Sequence, residues 1–158
     1  MENKIIIGVV AIIAIIGLGI LIGSLGGGSF AKTVNFKCQK DGNELPCQVE
    51  ISQDEIVFST KAIDTKFKVK EANLKTCEQF GEAMWHCTGK TPCEIIQDSS
   101  PYKMKCPMQS GRYALELSLG YSRPAAPDET VPSECKYGSI GGDMLNCELG
   151  TVEIYFEK

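Results

Sequence analysis

The feature that most constrains this chain is the placement of its eight cysteines, which all lie between residues 38 and 147. An even number of cysteines on one side of a hydrophobic segment is typical of a disulfide framework in an oxidising compartment. Eight cysteines allow on the order of a hundred connectivities, and the short spacings favour the sequential one. That connectivity joins Cys38 to Cys47, Cys77 to Cys87, Cys93 to Cys106, and Cys135 to Cys147.

A large apolar residue stands two positions before each second cysteine. Positions two apart on a β-strand face the same way, so we expect each second cysteine to lie beside a buried apolar anchor. The four predicted anchors are Leu45, Trp85, Met104 and Leu145.

The cysteine spacings do not indicate metal or redox chemistry. Structural zinc sites usually present cysteines in pairs two to four residues apart, whereas Cys87 and Cys93, with five residues between them, are the closest here. The chain has no C-x-x-C motif of the thioredoxin or haem-attachment type. We therefore predict structural disulfides, with no metal site and no cofactor.

The N-terminal region contains a long uncharged apolar segment. Residues 5–22 read IIIGVVAIIAIIGLGILI, and a helix extended to residue 25 would just cross a hydrocarbon core about 30 Å thick. We predict a short cytoplasmic end and transmembrane helix over residues 1–25, a glycine-rich linker over 26–31, and a disulfide-stabilised domain over 32–158. The alternative is a signal peptide cleaved after residues 29–31, Ser-Phe-Ala, which would make the protein secreted.

The orientation of this span rests on the cysteines. Lys32, Lys37 and Lys40 follow the span, so the distribution of positive charge weakly favours the opposite topology. Disulfides form in exterior compartments, although hyperthermophile cytosols also hold them. We predict a single-pass cell-membrane protein with its N-terminus inside and its C-terminal domain extracytoplasmic.

Two glycines of the span are candidates for helix association. Gly19 and Gly23 have the small-xxx-small spacing that allows close approach of two membrane helices. The spacing predicts a homo-oligomer through these residues, while the alternative is that glycine is simply common in membrane helices.

Residues 32–158 show the period-two alternation of β-strands. The clearest run places Tyr113, Leu115, Leu117, Leu119 and Tyr121 on one face, and about eight such strands can be recognised. Short strands at this spacing predict an antiparallel β-sandwich or barrel-like ectodomain. Residues 71–85 are the exception, because apolar residues there recur at spacings of three and four, which is compatible with one short helix.

Charge and motifs narrow the function. Glu2 and Lys4 are the only charged residues before residue 32, so the predicted domain carries the whole formal charge of −4, which argues against nucleic-acid binding. His86 is the only histidine, and its position beside Trp85 and Cys87 is interpreted as that of an ordinary strand residue.

No spacing of acidic residues indicates catalysis. Convergence of paired carboxylates in space remains the basis of the alternative function, an exterior hydrolase. The acids considered for it are Asp54, Glu55, Glu94, Asp98, Asp128 and Glu129.

The proline-rich stretch 122–133 separates the strongest predicted strand from the last hairpin. Long loops often carry binding residues, and Tyr121, Arg123 and Tyr137 are the recognition-type side chains near this one. The plain alternative is a connector.

The sequence as a whole predicts a membrane-anchored, non-enzymatic surface or envelope module that binds a protein or glycan partner or takes part in structural assembly.

Overall fold

The structure is a computed structural model that describes residues 36–82 and 84–158. These residues form eleven strands and no helix. The strands are β1 Phe36–Lys40, β2 Asn43–Glu44, β3 Gln48–Ser52, β4 Glu55–Ser59, β5 Lys68–Phe80, β6 Met84–Pro92, β7 Glu94–Gln97, β8 Tyr102–Lys105, β9 Arg112–Pro124, β10 Tyr137–Gly141 and β11 Met144–Glu157.

The strands form two sheets in which every pairing is antiparallel. Seven strands make the larger sheet, in the order β2-β1-β11-β9-β5-β6, with β10 paired to β11 beside this path. Four strands make the smaller sheet, in the order β3-β4-β8-β7. The predicted antiparallel β class is therefore confirmed for the described part of the chain.

Both sheets contribute their apolar faces to one core cluster. The alternating run on β9 is buried as predicted, with Leu115 and Leu117 completely enclosed. Ile154 and Phe156 of β11 lie in the same cluster, and the smaller sheet adds further enclosed side chains. Those side chains are Ile56, Phe58, Tyr102 and Met104.

The helix considered for residues 71–85 is wrong, because this stretch belongs to the hairpin of β5 and β6. Leu74 lies opposite Leu115 of β9, on the core face, whereas Cys77 lies opposite Arg112, on the other face of the sheet. Both side chains are buried. Their spacing of three, which resembles a helical period, arises because this part of β5 is covered on both faces.

The four disulfides join the cysteines in sequential order. The bonds are Cys38–Cys47, Cys77–Cys87, Cys93–Cys106 and Cys135–Cys147. Each closes a loop with a sequence separation of 9 to 13 residues. The disulfides therefore fasten local hairpins and loops.

The predicted apolar anchors are buried at three of the four positions. Leu45, Met104 and Leu145 lie in the core. Trp85 is only half-buried and faces away from the core, on the outer surface of the larger sheet. The reason is the position of β6 at the sheet edge, where neither face of the strand is enclosed by the smaller sheet.

The predicted transmembrane helix of residues 5–25, the linker 26–31 and the glycine pair Gly19 and Gly23 lie outside the described residues. Within residues 36–82 and 84–158, no helix is long and apolar enough to cross a membrane.

Candidate functional site

A hairpin arm projects from one end of the larger sheet. Strand β9 pairs with β5 only as far as the Arg112 and Cys77 positions. Beyond that point, residues 78–80 and 84–86 pair with each other and with no third strand in the described part of the chain. The Cys77–Cys87 disulfide joins directly opposed positions at the base of this hairpin arm. The bond holds the two arm strands together where the support of β9 ends.

The tip of the hairpin arm is apolar and open to solvent. Phe80 and Met84 lie opposite each other and are 64% and 70% exposed. The ring of Phe80 is 6.1 Å from the ring of His86, in an edge-to-face arrangement. His86 is an exposed strand residue paired with Glu78, as interpreted from the sequence.

The other face of the hairpin arm contacts the outer surface of the larger sheet through Trp85. The Trp85 ring lies 6.1 Å from the Tyr155 ring on β11, with an angle of 75° between their planes. The guanidinium carbon of Arg112 lies 5.8 Å from the centroid of the Trp85 ring. Edge-to-face rings and cation–π contacts are each attractive, so these contacts hold the hairpin arm against β9 and β11.

A cleft of about 580 Å³ lies between this arm and the outer face of β1 and β11. Its apolar lining comes from three aromatic rings and one methionine of the sheet and the arm, and its polar lining comes from β1 and the turn of the arm. The lining residues are Phe36, Lys37, Gln39, Glu82, Met84, Trp85 and Tyr155.

The phenol of Tyr155 is held neutral. Burial, followed by the hydrogen bond to Glu153 and the charges of Glu153 and Glu116, raises the pKa of Tyr155 to about 12. The Tyr155 hydroxyl donates this hydrogen bond to the Glu153 carboxylate over 2.6 Å. The Tyr155 phenol therefore keeps its proton further into the alkaline range than an ordinary tyrosine does.

Two carboxylates that the sequence analysis did not single out face each other near Tyr155. Glu116 on β9 lies directly opposite Glu153 on β11. Like charges at such positions repel. The ammonium of Lys75 lies 2.5 Å from the Glu116 carboxylate, and Tyr155 donates to Glu153, so both acids have compensating partners. Nothing in the local sequence reveals this pair, because the register between β9 and β11 brings together two residues that are 37 positions apart in the chain.

The six acids considered for hydrolysis do not form one cluster. Asp54 lies in the turn before β4, Glu55 begins β4, Glu94 begins β7, Asp98 follows β7, and Asp128 and Glu129 lie in the proline-rich loop. Four of the six form ion pairs with basic side chains. These pairs are Asp54–Lys105, Glu55–Lys103, Asp98–Lys68 and Glu129–Arg123.

The resolved carboxyl pKa shifts among the described residues are all downward. They belong to Asp41, Glu71 and Glu129. The pKa of Glu129 is lowered to about 2, first by the hydrogen bond from the Arg123 side chain, then by the hydrogen bond from the Ala126 backbone N–H, and also by the charge of Arg123. A general acid needs a raised pKa, so these three groups are suited to ion pairing and not to proton donation.

The predicted contact residues have three different environments. Tyr121 is only 8% exposed and packs its ring edge-to-face on Phe67, at 5.1 Å. Both guanidinium nitrogens of Arg123 bind the Glu129 carboxylate. Tyr137 projects into solvent. The pKa of Arg123 is raised by Glu129 first and also by Tyr121, so Tyr121 and Arg123 lie next to each other, and Tyr137 is not part of that contact.

A second cleft, of about 940 Å³, lies beside the loop that follows β4. Its lining is made largely of short polar residues of 59–65 and of Pro46, Cys47, Gln48 and Ser100. None of these lining residues is aromatic. We regard the smaller cleft, with Trp85 and Tyr155, as the better candidate for recognition.

Among residues 36–82 and 84–158, no group of three histidine, cysteine, aspartate or glutamate side chains is placed to hold a metal ion. Comparisons with protein-family models, with curated proteins and with solved structures find no match to this chain.

Proposed function

We propose that this chain is a membrane-anchored, non-enzymatic binding module whose disulfide-stabilised domain works outside the cytoplasm. The four disulfides support an exterior compartment, because such bonds persist where the environment is oxidising. The uncharged segment 5–25 supports a membrane anchor, and the disulfides on its C-terminal side support an N-terminus inside. The domain would then be displayed at the cell surface or in the envelope.

The observation that carries the binding role is the convergence of Trp85 and Tyr155 in the lining of the cleft, with Arg112 packed against the Trp85 ring. Tryptophan, tyrosine and arginine are the residue types that most often dominate the energy of protein interfaces. Here they belong to a sheet and to a disulfide-closed hairpin arm, so little side-chain or backbone freedom would be lost on binding.

A protein partner fits this cleft better than a glycan. Sugar rings stack on open aromatic faces, whereas Trp85 is packed against Arg112 and Tyr155. The exposed side chain of Met84 is apolar and adaptable, as is common at surfaces that bind polypeptides. The lining residues Lys37, Gln39 and Glu82 provide hydrogen-bonding groups around it.

The hydrolase alternative has weaker support. The opposed acids Glu116 and Glu153 are engaged by Lys75 and Tyr155. A retaining or inverting hydrolase needs one carboxyl group that stays protonated as the acid. It also needs a carboxylate that either attacks the substrate or activates a water molecule. We therefore treat hydrolysis as an outcome that experiment can reveal.

Site-specific photocrosslinking of the full chain in its own membrane tests the binding role. A photoreactive amino acid at position 84 should yield one discrete protein adduct, and Trp85→Ala should reduce that adduct at least about tenfold. The same probe at Ser122, which is exposed and lies near the end of β9 opposite to Arg112, is the control. Absence of an adduct from position 84, or glycan turnover abolished by Glu116→Gln, would overturn the proposal.

Protease treatment of intact cells tests the location. Digestion of residues 36–158 from outside, with residues 1–25 retained in the membrane fraction, is the expected result. Release of the domain into the medium with Lys32 at its N-terminus would instead favour the secreted alternative. Eight thiols that react with an alkylating reagent in the cytosol would contradict an exterior location.

A further inference from the structure

Strand β10 leaves one edge of the larger sheet open. Residues Tyr137–Gly141 pair with β11 on one side, and no described strand pairs with their other side. All five residues are exposed. The strand contains no lysine, no proline and no bulge, which are the features that usually protect a sheet edge from further pairing.

Exposed apolar side chains are concentrated around this edge. Seven large apolar side chains of the described residues are exposed, and four of them lie on or beside β10. Their exposed fractions range from 37% to 60%. These four residues are Val131, Tyr137, Ile140 and Met144.

The turn after β10 determines which backbone groups point outward. Gly142 and Asp143 connect β10 to β11, and Gly142 has a φ of 63°, as the first central position of a type II′ turn requires. The turn hydrogen bond joins Gly141 to Met144, and hydrogen-bonded pairs then alternate along the ladder. The N–H and C=O groups of Gly138 and Ile140 therefore point away from β11.

We propose that a second copy of this chain pairs with β10 in an antiparallel arrangement about a two-fold axis at Ser139. Gly138 of one copy then lies opposite Ile140 of the other, and each of these two equivalent pairs exchanges two backbone hydrogen bonds. The two seven-stranded sheets become one continuous sheet. A two-fold interface uses the same surface on both copies, as this arrangement does.

The side-chain sizes along β10 are self-complementary about Ser139. Tyr137 lies opposite Gly141 of the second copy and beside the exposed Met144 that pairs with that glycine. There is room for the Tyr137 ring, because nothing lies within 4 Å of a Cβ position at Gly141. On the other face, Ile140 lies opposite Gly138 of the second copy.

Val131 provides the contact for Ile140 of the second copy. A Cβ built on Gly138 would meet Val131 at 2.3 Å, so the Val131 side chain covers this glycine. Ile140 of the second copy would thus pack on Val131. A single pairing therefore covers all four exposed apolar side chains, and this self-complementarity is what favours a second copy over an unrelated peptide.

Charge does not oppose the pairing. Strand β10 has no charged residue, and the position opposite Lys136 is Gly142 of the second copy.

The area covered by a five-residue strand pair is smaller than the roughly 800 Å² per partner of a stable interface, so the contact is weak between freely diffusing chains. It becomes effective when the copies are concentrated, for example on one membrane.

Cysteine crosslinking of the full chain in liposomes tests this pairing. In the proposed register the two Ser139 residues form a non-hydrogen-bonded pair with Cα atoms about 4.5 Å apart, which is within disulfide reach. Under mild oxidation Ser139→Cys should yield at least about five times more disulfide-linked dimer than the exposed control Ser110→Cys.

A second pair of variants tests the hydrogen bonds themselves. Ile140→Pro removes an outward N–H donor and leaves the β10–β11 ladder intact, so Ser139→Cys with Ile140→Pro should crosslink no more than the control. Ile140→Val keeps the donor and should retain the crosslink.

Two results would overturn the proposal. One is equal crosslinking of Ser139→Cys and Ser110→Cys, and the other is a Ser139→Cys crosslink that survives Ile140→Pro. Retention of all four native disulfides in Ile140→Pro shows that the variant has folded. Trp85→Ala should leave the crosslink unchanged, so failure at this edge and failure of the proposed binding cleft are separable.

Discussion

Cys77 and Cys87 lie directly opposite each other on β5 and β6, and the disulfide between them closes the base of the hairpin arm. The arm beyond this point has no pairing with β9. The disulfide therefore has two roles, since it limits the freedom of the unfolded chain and holds together two strands that lack a neighbour.

Replacing both Cys77 and Cys87 by alanine should lower the free energy of unfolding by about 2.7 kcal/mol, as expected for a loop of this length. Amide hydrogen exchange in residues 78–86 should increase more than elsewhere. Urea denaturation and hydrogen exchange of the full chain in detergent measure the two effects. The matched control replaces Cys38 and Cys47, which close a loop of similar length, and should leave exchange in the arm unchanged.

Met104 and Met84 are the same residue type in a buried and an exposed position, so together they test the placement of the core. Met104 is enclosed between β4 and β7, whereas Met84 is exposed at the tip of the hairpin arm. Met104→Ala should lower the free energy of unfolding by about 2–5 kcal/mol because it leaves a cavity. Met84→Ala should change it by less than about 0.5 kcal/mol. Similar losses for the two variants in urea denaturation would contradict the placement of the core.

Gly120 allows close contact between β9 and β11. A Cβ at Gly120 would lie 2.7 Å from the backbone oxygen of Cys147, so Gly120→Ala should lower the free energy of unfolding by about 1–3 kcal/mol. Gly141→Ala is the control, because nothing lies within 4 Å of its Cβ position. Thermal denaturation compares the two variants, and an unaffected Gly120→Ala would rule out this strand contact.

Tyr155 should make stability depend on pH in the alkaline range. Its pKa of about 12 in the folded state exceeds the ordinary value of 10.0, mainly because the phenol is buried. The folded state therefore retains a proton that the unfolded state loses, and the stabilisation present below pH 10 is lost as the pH rises towards 12.

Absorbance of tyrosinate during alkaline titration measures this effect. Tyr155→Phe should remove a component with a midpoint near pH 12. Glu153→Gln should lower that midpoint, because the Glu153 carboxylate accepts the hydrogen bond and repels the tyrosinate. Tyr137→Phe should leave the component in place. A titration unchanged by Tyr155→Phe would contradict the burial of this phenol.

The strand pattern was predictable because it depends on residues close together in the chain, whereas the short cysteine spacings favoured the sequential disulfides without selecting them. Alternation over Tyr113–Tyr121 shows which side chains of β9 enter the core without reference to a partner strand. The stretch 71–85 was not predictable in this way. Burial on both faces of β5 gives apolar spacings that resemble a helical period. Only the pairing of β5 with β6 and β9 distinguishes the strand from a helix.

The contact residues were harder to predict because exposure depends on distant packing. Tyr121 resembles a recognition residue in the sequence, yet Phe67 and the rest of the core enclose it. Trp85 resembles a core anchor, yet an edge strand holds it on the outer face, beside Tyr155. In both cases a side chain far along the chain decides the environment.

The sequence by itself determined the antiparallel β class of the described domain, because period-two alternation is a local property. It favoured the sequential pairing of the cysteines through their short spacings and did not select it. The tertiary structure alone decided the register that opposes Glu116 with Glu153, the meeting of Trp85 with Tyr155, and the open edge of β10. These features come from pairings and packing between segments far apart in the chain, and a local pattern carries no information about which distant segment is the partner.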